Sequence, residues 1–380
     1  MDNVVGKKSG LTWAVHISMA VLVALWLFPT LGLFVSSFRT ADQIATSGWW
    51  SSLATQERQV PAIRVGGTEV ETDGRFAIEG RLFTTDKAKV SAWGTTSTAP
   101  EAFAPGEVAD LGDGVTLTVA EDGAYVLSSP VTTQGSRLPR IFSTAATPPE
   151  FTLQNYRAIL FEPNNTDGMT KAFFNTLTVT IPATVIPILV AAFAAYALAW
   201  MDFPGRALLI AAIVGLLVVP LQLALIPLLK LHNEIGIGKG YLGTWLAHTG
   251  FGLPLAIYLL RNYMVGLPRD IIECAKVDGA SDFQIFIKII LPLSFPALAS
   301  FAIFQFLWTW NDLLVSLVFL IDSSGQTTVM TKQIVELLGT RGGNWEILAT
   351  AAFVSIAVPL VVFFAMQKYL VRGLLAGSVK

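Results

Sequence analysis

Long apolar stretches recur along the chain, and they predict that it crosses a lipid bilayer several times. A helix needs about 20 mostly apolar residues to span the hydrocarbon core. Six stretches meet this requirement, and they cover residues 12–36, 173–200, 207–229, 241–260, 293–321 and 347–369. The pattern predicts a mainly α fold, a six-helix membrane bundle in which neighbouring helices satisfy the backbone groups that internal prolines free.

The first apolar stretch follows Lys7 and Lys8, as the apolar core of a secretory signal peptide would. It is longer than the roughly 7 to 15 residues of such a core. Its end, Phe-Pro-Thr-Leu-Gly-Leu-Phe, has no small-residue cleavage site. We therefore interpret this stretch as a membrane anchor.

Lysine and arginine positions predict the orientation, because these residues are enriched in cytoplasmic loops. With six spans, both termini lie on one side. That side carries Lys7, Lys8, Arg206, Arg261, Arg269, Lys276, Lys288, Lys368, Arg372 and Lys380. The short loops on the other side carry only Lys230, Lys239, Lys332 and Arg341. We expect both termini to be cytoplasmic.

The long segment between the first two spans alternates apolar and polar residues from about Val60 to Thr133. Turn signals interrupt it at Asp73-Gly74, Asp113-Gly114 and Asp122-Gly123. The runs 115–119 and 124–127 flank the last of these turns and predict a β-hairpin. We predict a small extracytoplasmic β-rich insert, with a Ser/Thr/Pro-rich linker near residues 143–149. Trp49 and Trp50 are expected at the membrane interface.

The predicted domain boundaries follow from these patterns. Residues 1–40 form the N-terminus and the first membrane helix, and residues 41–150 form the β-rich insert with its linker. Residues 151–380 form the core domain with helices two to six, including a cytoplasmic loop at 261–292.

The composition agrees with a membrane protein and excludes several other classes. Hydrophobic residues make up 53% of the chain and charged residues only 14%, compared with about 25% charged residues in soluble domains. Cys274 is the only cysteine, so no disulfide forms within the chain. His16, His232 and His248 lack metal-ligand spacing, and a net charge of −2 does not favour nucleic acid. We expect this chain to bind no metal or cofactor.

Residues 261–292 carry the signals of a helical hairpin at the cytoplasmic surface. Pro268 can open a first helix, and Asp270 and Glu273 follow it, where acidic side chains are favourable to the helix dipole. Gly279 permits a sharp turn, and Ser281 is a candidate N-cap for a second helix.

The second helix is predicted to place Phe283, Phe286, Ile287 and Ile290 on one apolar face, and to end at Pro292. Near the turn lie small residues that permit close approach to a groove on a partner, namely Cys274, Ala275 and Ala280.

This hairpin resembles the ATPase-docking loop of ABC importer permeases. Their motif is Glu-Ala-Ala, three residues, Gly, nine residues, Ile, any residue and Leu-Pro. The matching positions are Glu273, Cys274, Ala275, Gly279, Ile289, Leu291 and Pro292. Cys274 replaces the first alanine, which exchanges one small residue for another.

The resemblance extends to other segments of the carbohydrate-importer permease family that includes the maltose permeases. These segments are Asn155-Tyr156, Phe173-Phe-Asn-Thr-Leu177, Phe203-Pro-Gly-Arg206, Trp308-Thr-Trp-Asn-Asp312 and the tail from Tyr369 to Lys380. The enlarged loop after the first span is similar in length and place to that of the α-glucoside permeases of Gram-negative bacteria.

The resemblance implies a type I ABC importer permease fold in the bacterial inner membrane, with the insert in the periplasm. It implies a second homologous permease, two copies of a cytoplasmic ATPase and a periplasmic solute-binding protein as partners. The coupling residues would be Glu273, Cys274, Ala275, Asp278, Gly279, Ala280 and Pro292. The chain itself would not be an enzyme, and ATP and Mg²⁺ would be used by the partner ATPase.

Candidate residues for a sugar path are Gln222, Gln305, Trp308 and Asn311, because sugars prefer aromatic platforms and neutral hydrogen-bonding groups. Polar contacts between helices are an equally good interpretation of each. Asp312 is an acidic residue within a predicted span, a position that indicates function by default. Its place in a motif-like cluster favours a packing or gating contact over proton transfer.

Three hypotheses follow for the function. The first is a permease subunit for uptake of an α-glucoside or a disaccharide such as maltose, sucrose or trehalose. The second is a permease for a polyol, a monosaccharide or glycerol phosphate. The third is a membrane-anchored sensor acting through the β-rich insert, which would not need a docking loop.

Overall fold

The computed structural model describes residues 10–72, 74–83, 88–133, 135–161, 168–321, 325–340 and 343–376. The chain divides into two compact units, Met1–Leu153 and Gln154–Lys380. Some sequence predictions rest on residues outside these ranges, namely Lys7, Lys8, Asp73, Arg341 and Lys380.

The first unit begins with a long apolar helix, α1 (Gly10–Ser36), as the sequence predicts. A short helix, α2 (Ala41–Thr46), and a 3₁₀ turn at Trp49–Ser51 follow it. The turn folds back on α1, since the rings of Phe28 and Trp49 lie 4.6 Å apart. A Cβ at Gly32 would come within 2.7 Å of the Trp49 indole nitrogen, so only glycine permits this approach.

Eight strands form two antiparallel sheets in the remainder of the first unit. A three-stranded sheet has the order β1-β8-β4, and a five-stranded sheet has the order β2-β3-β7-β6-β5. The strands are β1 (Gln56–Arg64), β2 (Glu69–Thr72), β3 (Arg75–Arg81), β4 (Lys89–Gly94), β5 (Val108–Asp110), β6 (Thr116–Val119), β7 (Ala124–Ser129) and β8 (Arg140–Thr147). Their core surrounds Trp93, which is fully buried and donates its indole N–H to the Ala104 carbonyl at 3.0 Å.

The predicted β-hairpin is confirmed, with β6 and β7 paired in antiparallel register. Gly123 in its turn has φ of +80°, a conformation that glycine adopts without strain. Alternation along the two strands buries Leu117, Val119, Tyr125 and Leu127.

The predicted linker at residues 143–149 is wrong for most of its length, because residues up to Thr147 belong to β8. This strand is the centre of the three-stranded sheet, between β1 and β4. Its serine, threonine and alanine residues are small enough to be buried there. The Thr144 hydroxyl donates to the Glu101 carboxylate at 2.7 Å, which satisfies a polar group that would otherwise be costly to bury.

The described residues of the second unit form helices joined by short loops. Its helices are α3 (Gln154–Phe161), α4 (Met169–Trp200), α5 (Arg206–Leu216), α6 (Leu221–Glu234), α7 (Tyr241–Val265), α8 (Arg269–Val277), α9 (Asp282–Ile285), α10 (Leu291–Leu293), α11 (Phe295–Trp310), α12 (Leu314–Phe319), α13 (Met330–Thr340) and α14 (Trp345–Ala376). A π-helical turn at Phe286–Ile290 joins α9 to α10.

Three described helices are long and apolar enough to cross a membrane, namely α1, α4 and residues Trp345–Tyr369 of α14. The number rises to five if each of two sharply bent helix pairs is taken as one span. Helix α7 is long enough to cross a membrane, with 25 residues, but its polar side chains make it less apolar than these three helices.

The predicted third span, residues 207–229, is not one continuous helix. Helices α5 and α6 meet there at an angle of 110°. Pro220 lies at the break with ψ of 127°, and a proline cannot continue the hydrogen-bond ladder of the preceding helix.

The predicted fifth span, residues 293–321, is also interrupted. Residues 282–293 bend by 70° from α11, and residues 311–313 separate α11 from α12. Asn311 and Asp312 at this second break are polar residues that favour helix ends over helix interiors.

Small side chains let the central helices approach closely. Ala183, Ala191 and Ala195 of α4 and Ala256 of α7 are all buried. A Cβ at Gly252 of α7 would come within 2.6 Å of the Gln305 amide oxygen on α11. Such contacts are typical of helix packing in membranes, where lipid removes the hydrophobic drive between helices.

Candidate functional site

Residues 269–293 form the helical hairpin that the sequence predicts, and it is called the docking hairpin after its predicted role. Its first helix, α8, starts directly after Pro268 and carries Asp270 in its first turn. Proline fixes φ at a value that suits a helix start, and the acidic side chain favours the dipole.

Gly279 forms the turn between the two helices of the docking hairpin. Its φ is +80°, which places it in the left-handed region. The Ala280 N–H donates to the Ala275 carbonyl and the Gly279 N–H donates to the Lys276 carbonyl, both at 3.0 Å. This is the pattern of a Schellman cap, in which glycine ends a helix and satisfies its last carbonyls.

Ser281 caps the second helix as predicted. Its hydroxyl accepts from the Gln284 backbone N–H at 3.3 Å, and the Gln284 side chain accepts from the Ser281 N–H at 3.0 Å. The Asp282 carboxylate accepts from the Tyr196 hydroxyl of α4 at 3.4 Å and lies 3.7 Å from the Lys276 ammonium. The ion pair is half-exposed and contributes little to stability.

One face of the docking hairpin is part of a membrane-domain core. Ile272, Ile285, Phe286 and Ile290 are almost completely buried in one cluster with residues of α4, α7 and α11. The Phe286 ring lies 5.2 Å from the Tyr196 ring. The hairpin is therefore packed against the bundle as a rigid extension of it.

The prediction of a common apolar face for residues 283, 286, 287 and 290 is only half right. Phe286 and Ile290 are buried, whereas Phe283 and Ile287 are exposed by 65% and 39%. The π-helical turn at Phe286–Ile290 changes the number of residues per turn, so the spacing of a regular helix does not hold. Ile285 takes the buried place instead.

The helix also extends past Pro292, to Leu293, and the chain bends at Ser294. Pro292 lies within the first turn of the short helix α10, where a proline ring is tolerated, so it does not end the helix as predicted.

The opposite face of the docking hairpin is exposed and carries most of the predicted coupling residues. Glu273, Cys274, Asp278 and Gly279 are exposed, as is Pro292. The remaining two, Ala275 and Ala280, are partly buried against the core cluster.

Two apolar side chains of the hairpin are strongly exposed, namely Val277, which the sequence pattern does not single out, and Phe283, which it predicts on the apolar face. Val277 is 87% exposed and Phe283 is 65% exposed, on either side of the Gly279 turn. Val277 lies between Lys276 and Asp278 at the end of α8, and with Phe283 it adds apolar surface on either side of the turn.

A cavity of about 680 Å³ lies within the helical unit. Its walls are apolar, and they include Leu217, Leu221, Leu228, Phe251, Leu255 and Trp308. The walls come from the bend between α5 and α6, from α7 and from α11.

The four candidate path residues do not form one cluster. Trp308 borders the cavity and is 42% exposed. Gln222 on α6 and Asn311 after α11 are exposed, and the Asn311 amide donates to the Leu307 carbonyl at 2.9 Å. Gln305 is instead buried between helices and donates to the Ala183 carbonyl at 3.1 Å.

Comparison with known proteins relates the chain to transport proteins. Residues 167–375 match the family described as the binding-protein-dependent transport system inner membrane component. The chain is 60% identical over 381 residues to the alpha-glucoside transport system permease protein AglG of Rhizobium meliloti (strain 1021), covering 98% of each protein. It is 57% identical over 231 residues to the osmoprotective compounds uptake permease protein GgtD of Synechocystis sp., covering 61% of this chain and 76% of that protein.

Among solved structures, the chain is similar to a bacterial ABC transporter involved in the import of the acidic polysaccharide alginate. The sequence identity is 21% and the TM-score is 0.49, covering 59% of this chain and 81% of that one.

Replacing Gly279 tests the hairpin geometry. A Cβ at this position would meet no atom within 4 Å, so the effect of Gly279→Ala is conformational. A left-handed L-residue costs about 1–2 kcal/mol, which should speed amide hydrogen exchange at Ala280 by about 5- to 30-fold. Asn tolerates this region better, so Gly279→Asn should give a smaller increase. Equal rates in the two variants would contradict the left-handed turn.

Proposed function

The chain belongs to the family of binding-protein-dependent transport system inner membrane components, and we propose that it is the permease subunit of an ABC importer for α-glucosides or related disaccharides. The observation that carries the substrate class is the 60% identity to AglG, which spans 98% of both proteins and therefore the insert as well as the helical unit. The match to GgtD covers only about the length of the helical unit.

We propose six membrane crossings. They are α1, α4, the bent pair α5–α6, α7, the interrupted α11–α12 and α14. Arg206, Arg261, Arg269, Lys276 and Lys288 then lie on the cytoplasmic side with both termini, in agreement with the positive-inside rule. The β-rich insert lies in the periplasm.

The docking hairpin is the proposed contact with a cytoplasmic ATPase. Its exposed face combines acidic residues, Glu273 and Asp278, with the apolar side chains of Val277 and Phe283. Its buried face packs with α4, α7 and α11, so a displacement of the hairpin acts directly on helices of the bundle. Two ATPase copies, one on this chain and one on a homologous second permease, would bind ATP and Mg²⁺, and this chain would bind neither.

Substrate passage is proposed beside the apolar cavity, with Trp308 as an aromatic platform for a sugar ring. Gln222 and Asn311 expose amides that could hydrogen-bond sugar hydroxyls. The Gln305 amide N–H donates to the Ala183 carbonyl of α4. Gln305 would therefore reach the path only in a state in which α4 and α11 separate at Ala183. ATP binding would favour one state through its differential contacts.

A polyol, a monosaccharide or glycerol phosphate is the second candidate substrate class. The similarity to a permease for osmoprotective compounds is the observation that favours it. The two classes are separated by measuring uptake.

We predict uptake of α-glucosides by proteoliposomes that contain this chain, its second permease and the ATPase, with the solute-binding protein added outside. The panel is maltose, sucrose, trehalose, glycerol, one longer polyol and glycerol phosphate. Each is tested with ATP inside the proteoliposomes. ATP-dependent uptake of a disaccharide but not of the others is the expected result. Uptake restricted to a polyol or glycerol phosphate would overturn the substrate proposal, and vesicles without the binding protein are the control.

Val277→Ser should weaken retention of the ATPase on the purified chain. Burying an exposed Val side chain contributes about 1.5–3 kcal/mol, and 1.4 kcal/mol corresponds to tenfold in affinity. We expect the dissociation constant to rise by about tenfold or more. Val131→Ser changes a side chain that is 64% exposed in the insert, and it should have no effect. Equal effects of the two substitutions would argue against docking at the hairpin.

The insert is proposed to seat the solute-binding protein, with stabilisation of the second permease as the alternative. Gln56 at the start of β1 pairs with Thr147 at the end of β8, so residues 56–147 can be excised and the ends joined by a short linker. We expect the chain without residues 56–147 to bind the solute-binding protein at least tenfold more weakly in the assembled transporter. Unchanged docking with loss of the second permease would support the alternative role.

A further inference from the structure

A buried histidine and a buried aspartate meet at the break between α11 and α12. The His248 Nε2 atom on α7 lies 3.7 Å from the Asp312 Oδ2 atom, and the two side chains are only 5% and 6% exposed. The sequence alone identifies Asp312 as unusual, whereas His248 looks like an ordinary helix residue. Ionisable residues within membrane helices are costly, and they indicate a function in the span that holds them.

The backbone at this break is satisfied by side chains of the break itself and by α13. The Asp312 carboxylate accepts from the backbone N–H groups of Val315 and Ser316, at 3.0 Å and 3.4 Å, and so caps α12. The Thr331 hydroxyl donates to the Asp312 carbonyl at 2.8 Å. Non-helical backbone at membrane depth requires such partners, so the break is a stable feature of the fold.

The two sides of the break share α7 as a neighbour and differ in their other contacts. Helix α12 packs on α6 and α7, where Val315 and Phe319 share a buried cluster with Leu225 and Ala247. The Gly240 N–H also donates to the Phe319 carbonyl at 2.7 Å.

Helix α11 packs on α4 and α14 as well as on α7. The Trp310 indole N–H donates to the Ser355 carbonyl of α14 at 3.0 Å, and its ring lies 5.9 Å from that of Phe173 on α4. The break therefore lies between a short helix that contacts α6 and a long helix that contacts α4 and α14, while both helices contact α7.

The His248 side chain lacks a hydrogen bond in the state that the structure describes. Its Nε2 atom is buried and has no hydrogen-bond partner among the described residues. An unmade bond of this kind is unfavourable in a low-dielectric interior. The 3.7 Å between His248 Nε2 and Asp312 Oδ2 is slightly longer than the donor–acceptor distance of about 2.9 Å in an ordinary hydrogen bond. A displacement of about 1 Å of the Asp312 carboxylate, which accepts from the first N–H groups of α12, would bring the two atoms within hydrogen-bonding distance.

We infer that residues 311–313 form a hinge on which α12 tilts against α11 during the transport cycle, and that His248 is the positioning residue that holds one of its states through Asp312. This inference rests on the proposed transport function. In the state described by the structure the two atoms lie within ion-pair distance, but the hydrogen bond of the pair is open. In the other state it closes, and the hydrogen bond to a carboxylate stabilises that state.

The test uses the assembled transporter with Cys274→Ala, which makes the chain free of native thiols. Spin labels go on Phe304→Cys in α11 and Leu317→Cys in α12, both more than 40% exposed, and their distance is measured without nucleotide and with ATP trapped. Two distance populations are expected, with a ratio that changes on ATP binding. Labels at Phe295→Cys and Phe304→Cys, both on α11, are the reference and should keep one distance.

His248→Leu should shift the ratio of the two populations by about tenfold, as expected for the loss of a hydrogen bond to a charged group. His248→Gln keeps a donor near Nε2 and should restore most of the ratio. His232→Leu is the matched control, because His232 is equally buried and its ring also contacts α12, 5.3 Å from Phe319, but it forms no ion pair with a carboxylate among the described residues. It should leave the ratio unchanged.

A single, constant distance between positions 304 and 317 would overturn the hinge. Two populations with the same ratio in His248→Leu and the parent chain would overturn the role of His248. Sugar uptake by the parent transporter is measured in parallel. If uptake fails while the distances change with ATP, the proposed substrate is wrong and the hinge stands.

Discussion

The architecture depends on burial of the docking hairpin in the same core as the membrane helices. Ile272, Ile285, Phe286 and Ile290 share one cluster with α4, α7 and α11. Each such side chain contributes about 1.5–3 kcal/mol when fully buried, far more than the exposed Lys276–Asp282 pair contributes. A hairpin held only by surface ion pairs could move independently of the bundle, whereas this one cannot move without displacing the helices it packs on.

The satisfaction of backbone polar groups is the second constraint, and it explains where the helices break. Among the described residues, the predicted third and fifth spans contain three helix breaks, and each break involves a different residue. Pro220 ends the ladder between α5 and α6, Ser294 follows the docking hairpin, and Asp312 caps α12 after the α11 break. Lipid offers no hydrogen bonds, so helices can change direction only where side chains or neighbouring helices take over the freed groups. The bent helices therefore lie where polar or proline residues occur in otherwise apolar stretches.

Local signals made parts of the structure predictable from the sequence. Pro268, Gly279 and Ser281 each act on the backbone within a few residues, and all three take the predicted roles in the docking hairpin. The hairpin of β6 and β7 was predictable for the same reason, since its alternation and its Gly123 turn are local features.

Features that depend on tertiary packing were not predictable in this way. Apolarity identifies the stretches 207–229 and 293–321 but does not reveal that each is bent or interrupted, because that depends on which neighbours satisfy the backbone. The Ser/Thr-rich stretch of β8 resembles a linker until its partners β1, β4 and Glu101 are known. The exposed Ile287 lies within a π-helical turn that no spacing rule anticipates. His248 gains its significance only from the proximity of Asp312, a residue far away in sequence.

The closure of the β-rich insert explains how a permease of this family can carry an additional domain without disturbing its membrane helices. Strand β1 enters the insert and β8 leaves it, and their outer ends are paired at Gln56 and Thr147. Below that pair, the Gln43 amide donates to the Glu150 carbonyl at 3.0 Å and the Thr152 N–H donates to the Phe38 carbonyl at 2.7 Å. The two chain segments are thus bound to each other before the insert begins, and a domain whose ends meet can be inserted in a loop at little conformational cost. The insert consequently has its own paired strands and its own core, whereas the docking hairpin and the helices that it contacts share a common core.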